Sequence, residues 1–203
     1  MRSDTNDAGI EIQTHLDSIP NEDNLGKEIV LCITADGIDN SRNVAVVEHL
    51  WKPKRNMTTH VFNTDSNGLF TVERLYGFKE DYELYYPFNF QANTTIQFNY
   101  YPITSAISIE DNRTQKRVTL MNDRSQGGSS SGVGKMELML HRFSTTDDEC
   151  SLNEPLKDID PQTKKIREVD TVHYLLLSKG KCSSAWMLIH VYDVSSGEEK
   201  QRK

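Results

Sequence analysis

The stretch Met136-Glu-Leu-Met-Leu-His-Arg142 carries the clearest strand pattern in the chain. Its residues Met136, Leu138 and Leu140 alternate with Glu137 and His141, which puts apolar side chains on one face of a strand and polar ones on the other. An amphipathic helix would instead need apolar residues three and four positions apart, and no window of about 15 residues shows that spacing convincingly. The stretch therefore predicts a β-strand with one buried face.

Further β-rich segments lie on both sides of this strand, separated by Gly, Asn, Asp and Pro. Pro102 interrupts one of them and predicts an edge, a bulge or a strand break there, because proline has no N–H for the ladder. The other predicted strands lie at 44–51, 69–78, 94–109, 118–120, 172–177 and 186–191. This spacing predicts an all-β antiparallel sandwich over residues 10–194. The polar residues 1–9 and the Glu/Lys-rich residues 195–203 are predicted to be disordered.

The composition excludes several classes of partner. The 203 residues include 23 Lys plus Arg against 30 Asp plus Glu, a formal net charge of −7. An acidic chain with scattered cations has no electrostatic footprint for DNA or RNA, so we expect no nucleic-acid partner. No run approaches the ~18 apolar residues of a membrane span, so no membrane partner is expected. The N-terminus has no apolar core of a signal peptide, and none is predicted in this chain.

No motif of metal-dependent or nucleophilic catalysis is present in the sequence. The six histidines form no HxxH or HExxH cluster, and His15-Leu-Asp17 has no second such pair to complete a zinc site. Asp147 and Asp148 are adjacent, and neighbouring residues of a strand point to opposite faces, so they are not a catalytic pair. The letters G-x-S-x-G occur at Gly128-Ser-Ser-Ser-Gly132, but this stretch is predicted to be a flexible loop with no obvious base nearby, so it is not a nucleophile elbow. We therefore predict no catalytic residue, metal ligand or cofactor site in this chain.

Three features leave alternatives open. The cysteines, Cys32, Cys150 and Cys182, allow either one disulfide with a free thiol or three free thiols. The Ser- and Gly-rich segment 122–135 predicts a flexible hairpin connection, since its glycine spacing matches no phosphate-binding motif. Three N-glycosylation sequons begin at Asn56, Asn93 and Asn112, a number close to what the composition alone would give.

A set of short motifs in this chain resembles the C-terminal β-region of glycoside hydrolase family 38. Asp123-Arg-Ser-Gln-Gly-Gly-Ser-Ser130, followed by Glu137 to Arg142 and by Asp147-Asp148, is most similar to the lysosomal, class II, α-mannosidases of that family. The other matching motifs, in order, are Gly26-Lys-Glu-Ile-Val30, Thr64-Asp-Ser-Asn-Gly68 with Glu73-Arg74, Asn99-Tyr-Tyr-Pro102, Ile109-Glu-Asp111 and Asn153-Glu-Pro-Leu156.

The resemblance covers about residues 10–178, and the chain departs from the family pattern in three places. Residues 36–60 are longer than the family pattern and predict an insertion or a divergent loop. Phe143 stands where a second arginine often follows Arg142, and Glu149-Cys150 replaces the usual Arg-Gly.

The resemblance implies a galactose-mutarotase-like supersandwich fold and a part in hydrolysing terminal α-mannosidic bonds during N-glycan and mannose catabolism. Such retaining hydrolysis needs two carboxyl groups about 5 Å apart, and the family adds one zinc ion that binds the sugar hydroxyls. In the family these groups lie on a catalytic domain that this chain does not contain, so the chain alone is expected to be inactive. The implied partners are that catalytic domain and mannose-containing glycans, and the implied location is the lysosome or secretory pathway.

The resemblance also supplies the site candidates. Arg142 matches an arginine that reaches toward the active-site rim, where its fork of donors would meet a carboxylate or a sugar hydroxyl. The alternative for Arg142 is a salt bridge with Asp147 or Asp148. Asp123, Arg124 and Gln126 are candidates for contacts with the catalytic domain or the glycan.

Aromatic residues provide a second group of candidates. Tyr100 and Tyr101 either stack on a sugar or pack between the sheets. A surface that docks on the catalytic domain is expected from the aromatics Tyr82, Tyr85, Tyr86, Phe88 and Phe90. The competing interpretation of the whole chain is a non-catalytic carbohydrate-binding or interaction module that acts alone.

Overall fold

The computed structural model describes residues 8–46, 55–65, 70–77, 99–147, 155–178, 187–193 and 199–200. Regular structure in these ranges is almost entirely β. The strands are β1 Ala8–Leu16, β2 Lys27–Ala35, β3 Ser41–Val46, β4 Arg55–Asp65, β5 Thr71–Leu75, β6 Tyr101–Ile103, β7 Ala106–Asp111, β8 Lys116–Asn122, β9 Gln126–Ser129, β10 Lys135–Phe143, β11 Val169–Ser178, β12 Met187–Asp193 and β13 Glu199–Lys200.

The strands form two sheets in which the paired neighbours run antiparallel. The first sheet has the order β1-β11-β8-β7-β4-β3, with β5 also pairing with β4. The second sheet has the order β13-β12-β2-β10-β9-β6. Within the described ranges, no helix has the length and apolar character needed to cross a membrane.

One apolar core lies between the two sheets and explains why they pack. The second sheet contributes Leu31 and Leu138, and the first contributes Phe62, Leu120 and Leu175, all of them fully buried in one cluster. Met136, Leu138 and Leu140 of β10 all face this core, as their alternation predicts. The predicted antiparallel β-sandwich is confirmed.

The segment 122–135 is not a simple hairpin connection. Its residues Gln126–Ser129 form β9, which pairs with β10 on one side and with β6 on the other. The segment therefore leaves the first sheet at the end of β8 and enters the second. Glycine allows this, because a Cβ on Gly128 would lie only 3.1–3.3 Å from side-chain atoms of Ile103, Ile107 and Leu138.

Other predicted boundaries also differ from the structure. Residues 36–60 hold β3 and the first half of β4, which pair antiparallel in the first sheet, so this stretch is not only a divergent loop. β1 begins at Ala8, within the predicted disordered N-terminus, because it finds a partner in β11. Glu199 and Lys200 pair with β12, and the predicted disorder of 195–203 stays a prediction.

Pro102 lies on β6, an edge strand of the second sheet. β6 ends at Ile103 and β7 begins at Ala106, so the predicted strand 94–109 is interrupted after Pro102. An edge and a strand break are two of the outcomes that the missing N–H predicts.

Cys32 is a free thiol in β2, and burial raises its pKa to about 11, so it stays protonated at neutral pH. Cys150 and Cys182 lie outside the described residues.

Candidate functional site

A groove of about 590 Å³ opens where β6, the β8–β9 connection and β10 meet. It brings together three of the four candidate residues, Arg124, Gln126 and Arg142, with Tyr100 and Tyr101. The remaining lining residues are Pro102, Ser125, Gly127, Met139, Leu140 and His141. The sequence places these residues in separate motifs, and the sheet pairing makes them neighbours.

A β-bulge aims Arg142 into the groove. Strict alternation after Met136, Leu138 and Leu140 would point residue 142 into the core. The pairing of β10 with β2 shifts register between Met139 and His141, so the faces change over at Leu140. Phe143 is consequently buried and Arg142 is exposed. Bulges commonly redirect a side chain in this way.

Glu28 is the ion-pair partner of Arg142. The two residues are register partners across β2 and β10, and Arg142 Nε lies 2.8 Å from Glu28 Oε1. The predicted alternative, a salt bridge with Asp147 or Asp148, stays a prediction: Asp147 follows β10, and Asp148 lies outside the described residues. The Arg142 side chain remains 45% exposed, so the pair orients the guanidinium without burying it.

Asp123 holds Arg124 in place rather than lining the groove itself. Arg124 makes two parallel contacts, Nε to Asp123 Oδ1 at 3.0 Å and a terminal nitrogen to Oδ2 at 2.8 Å. The Arg124 hydrogen bond, with Arg124's charge and the Val172 N–H adding to it, lowers the pKa of the Asp123 carboxyl. Arg124 also donates to the Asp170 carbonyl at 2.6 Å. Its guanidinium is therefore fixed in orientation.

Gln126 connects the two sheets beneath the groove. Its amide Nε2 donates to the Met139 carbonyl of β10 at 3.2 Å. Its Oε1 lies 2.9 Å from Nε2 of His173, a fully buried residue of β11. Because an amide oxygen can only accept, His173 must carry a proton on Nε2. Burial lowers the pKa of His173, which favours the neutral ring in this position.

Tyr100 and Tyr101 have different surroundings. The Tyr100 hydroxyl donates to Glu137 Oε2 at 2.8 Å, and burial, together with the Glu137 charge, raises the pKa of Tyr100. Tyr101 packs edge-on against Phe62 at 5.8 Å, with the Arg74 guanidinium 4.5 Å from its ring centre. Packing between the sheets, one of the two predicted alternatives, thus holds for the Tyr101 ring.

The groove's charges are compensated in pairs: Arg142 lies against Glu28, and Arg124 lies against Asp123. Guanidinium, amide and phenol groups remain as hydrogen-bond formers at its wall. Such a lining can form hydrogen bonds with an uncharged polyhydroxylated ligand or with polar groups of a protein surface. The proposed docking aromatics at Tyr82, Tyr85, Tyr86, Phe88 and Phe90 lie outside the described residues.

Among the described residues, no group of three or more His, Cys, Asp or Glu side chains is placed to hold a metal ion. His15 is the histidine whose His-x-Asp spacing resembled half of a zinc site. Its Nδ1 lies 2.7 Å from Asp170, and its Nε2 lies 3.5 Å from Asp17. Both ring nitrogens thus face carboxylates, whereas a metal-bound histidine presents one nitrogen to the metal. The described donor set does not fit a zinc ion.

Sequence reasoning missed Glu28 and His173 as members of this site. Each lies on a strand far from the groove motifs along the chain, and their involvement depends on sheet pairing. Glu28 does fall within the Gly26-Lys-Glu-Ile-Val30 motif, and membership of that motif is the one sequence signal that could have identified it. His173 lies in a predicted strand with no motif of its own.

The family model and the individual relatives that match this chain agree on one family. The model of the glycosyl hydrolases family 38 C-terminal domain matches residues 6–150. The chain is 37% identical over 147 residues to the lysosomal α-mannosidase of Felis catus, covering 72% of this chain. It is 32% identical over 149 residues to a probable α-mannosidase of Arabidopsis thaliana, covering 73% of this chain, and 29% identical over 148 residues to the α-mannosidase of Canavalia ensiformis, also covering 73%.

The matched region is a small part of these relatives. It spans 12% of the length of each of the three proteins. The family match includes the groove residues of β6, β9 and β10 and excludes β11, β12 and β13. On this evidence the chain belongs to the C-terminal domain family of the family 38 glycosyl hydrolases.

Proposed function

We propose that this chain serves as the C-terminal β-domain of an α-mannosidase that hydrolyses terminal α-mannosidic bonds, and that its groove adjoins the catalytic domain. The observation that carries the proposal is Arg142, which the β10 bulge turns outward and Glu28 holds in a fixed orientation. A pre-oriented, half-exposed guanidinium at the end of a strand is suited to a carboxylate or a sugar hydroxyl on a neighbouring surface. The three relatives named as α-mannosidases support the reaction class.

In this proposal the chemistry is divided between two parts of the enzyme. By the family resemblance, we assign the zinc ion and the two reacting carboxyl groups to the catalytic domain. When bound, zinc would supply a Lewis acid that polarises and orients the sugar hydroxyls. In this proposal the residues of this chain bind and orient the glycan or the catalytic domain. Arg142 and Gln126 provide hydrogen-bond donors, and the ion pair with Asp123 holds the Arg124 guanidinium at the groove.

The proposed substrates are mannose-containing glycans, and the proposed setting is the lysosome or secretory pathway in mannose catabolism. The relatives named as lysosomal α-mannosidases, from Felis catus and Mus musculus, support this setting. The compensated charges of the groove are consistent with neutral sugars.

A chimeric enzyme tests the proposal. The 147-residue segment of the Felis catus enzyme that matches this chain is replaced by the corresponding residues of this chain. We expect the chimera to hydrolyse 4-nitrophenyl α-mannoside, and the isolated chain not to. Arg142→Ala should lower kcat/KM of the chimera about 10- to 100-fold, since a hydrogen bond to a charged group contributes about 1.5–3 kcal/mol.

Arg117→Ala is the matched control. Arg117 of β8 also pairs with a cross-strand glutamate, Glu110, at 2.9 Å, and its side chain is 49% exposed. It lies away from the groove, so its loss should leave kcat/KM nearly unchanged. Equal effects of the two substitutions in folded chimeras, or hydrolysis by the isolated chain, would contradict the proposal.

A second candidate function is a carbohydrate-binding module that acts without the catalytic domain. The neutral groove with Tyr100, Arg142 and Gln126 at its wall favours it. Calorimetric titration of the isolated chain with mannose oligosaccharides separates the two functions. Saturable heat that Arg142→Ala abolishes and Arg117→Ala preserves would support the module; no heat at millimolar ligand would exclude it.

A further inference from the structure

The sequon Asn112-Arg113-Thr114 occupies the tip of the β7–β8 hairpin. Asn112 is exposed, and the neighbouring Arg113 side chain is 78% exposed. By contrast, Asn56 lies inside β4 opposite Ala45 of β3, and Asn93 lies outside the described residues. Asn112 is therefore the sequon asparagine that the described structure places in a turn, where an N-linked glycan is normally accommodated.

Backbone hydrogen bonds define the shape of the turn, although its tip is exposed. The buried carboxylate of Asp111 accepts hydrogen bonds from the backbone N–H groups of Arg113 and Thr114, at 2.8 and 3.2 Å. The Asp111 carbonyl accepts from the Gln115 N–H at 2.7 Å, and Gln115 takes a φ of 57° to close the turn. The hydrogen bonds that hold the turn thus involve the residues around Asn112, and no hydrogen bond to the Asn112 amide occurs among the described residues. A substituent on that amide would displace no packing.

The hairpin also separates Asn112 from the groove. Strand β8 runs from Lys116, beside the turn, to Asn122, two residues before Arg124. Seven strand residues span about 20 Å at ~3.3 Å per residue. A glycan on Asn112 would therefore extend from the opposite end of β8 and leave the groove open.

We propose that Asn112 is a site of N-linked glycosylation. The proposal rests on the secretory setting proposed above, because the sugar donor is a lipid-diphosphate oligosaccharide and the transferase is a membrane enzyme of that pathway. The Asn112 Nδ2 forms a bond to C1 of the first sugar while the C1–O bond to the diphosphate breaks. The lipid diphosphate leaves with the electron pair, a base of the transferase takes one amide proton, and nothing is oxidised or reduced.

The test uses the full 203-residue chain behind a cleavable secretion signal in a eukaryotic host. Treatment with a peptide N-glycosidase in heavy-oxygen water converts each glycosylated asparagine to a labelled aspartate, which peptide mass spectrometry locates. We expect label at Asn112 and a shift in gel mobility on treatment. Asn112→Gln and Thr114→Ala should each lose the Asn112 label, and Arg113→Lys, which keeps the sequon and the cation, should retain it.

Unlabelled Asn112 in the secreted chain would overturn the proposal. If the secreted chain fails to fold, translation in the presence of microsomes gives the same answer, because attachment to the nascent chain does not require the finished sandwich; absence of the shift there overturns it equally. The chimera separates this proposal from the proposed function. Asn112→Gln should leave its hydrolysis unchanged, so an unlabelled but active chimera refutes the glycan alone, and a labelled but inactive chimera refutes the function alone.

Discussion

At the residue scale, Asn40 makes the densest set of buried polar contacts in the described structure. Its amide nitrogen donates to the Val61 carbonyl at 2.9 Å and to the Ser130 hydroxyl at 3.0 Å, and its oxygen accepts from the Gly134 N–H at 2.8 Å. Asn40 is 2% exposed. Gly134 has φ 68°, and a Cβ there would lie 2.7 Å from the Ala35 carbonyl oxygen. One side chain thus joins β4 of the first sheet to the β9–β10 turn of the second.

We predict that Asn40→Ala lowers the free energy of unfolding by about 2–4 kcal/mol, because it leaves the buried Gly134 N–H and Val61 carbonyl without their side-chain partner. Urea denaturation followed by circular dichroism measures the change. The control is Asn43→Ala, since Asn43 is exposed and bonds only to exposed Thr58 in the described structure; it should change stability by no more than about 0.5 kcal/mol. A loss of similar size in both variants would show that Asn40 does not link the sheets.

At the element scale, the two adjacent glycines of β9 face opposite sides of the strand. Gly128 faces the core, where a Cβ would lie 3.1–3.3 Å from three apolar side chains. Gly127 faces the groove, where a Cβ would lie at ordinary contact distances of 3.6 and 3.8 Å from Tyr100 and Met139. The alternation of a strand, rather than loop flexibility, therefore accounts for glycine at position 128.

We predict that Gly128→Val destabilises the chain by about 1–3 kcal/mol through overpacking against Ile103, Ile107 and Leu138. Gly127→Ala, on the neighbouring residue of the same strand, should cost less than about 1 kcal/mol. Thermal unfolding of the two variants gives the comparison. If Gly127→Ala were the more damaging change, the assignment of the β9 faces would be wrong.

At the scale of the whole molecule, the sandwich should lose stability in acid partly through one buried histidine. His173 of the first sheet meets Gln126, which bonds to β10 of the second. Burial lowers the pKa of His173 from 6.5; the Asp123 charge opposes the shift, and the Arg124 charge adds to it. As the pH falls through 6.5, the unfolded chain takes up this proton before the folded chain does, so unfolding becomes easier.

Substitution of two histidines should therefore change the pH dependence in opposite directions. His173→Gln should reduce the stability lost between pH 7 and pH 5, where one proton contributes at most about 1.4 kcal/mol per pH unit. The exposed His15 has the reverse shift, since its hydrogen bond to Asp170 raises its pKa. It stabilises the fold at low pH and loses that effect as the pH rises, so His15→Gln should enlarge the acid loss. Parallel pH profiles for the two variants, measured by urea denaturation, would refute this account.

The sequence by itself determined the class of fold and the family. The alternation of Met136, Leu138 and Leu140 is a local property of one strand, and it predicted which side chains reach the core. The absent N–H of Pro102 likewise predicted an edge, a bulge or a strand break without knowledge of any distant residue, and β6 is an edge strand of the described sheet. Short motifs in a fixed order predicted family 38, and the family match agrees with them.

Tertiary structure alone decided how the site is assembled. The bulge at Leu140 reverses the face of Arg142, and it exists because of the register between β10 and β2. The Glu28 partner of Arg142, the contact of His173 with Gln126 and the strand character of β9 all arise from pairing between segments distant in the chain. Periodicity reports only how neighbouring side chains alternate, whereas register is set by contacts across the sheet, and the orientation of every groove residue follows from that register.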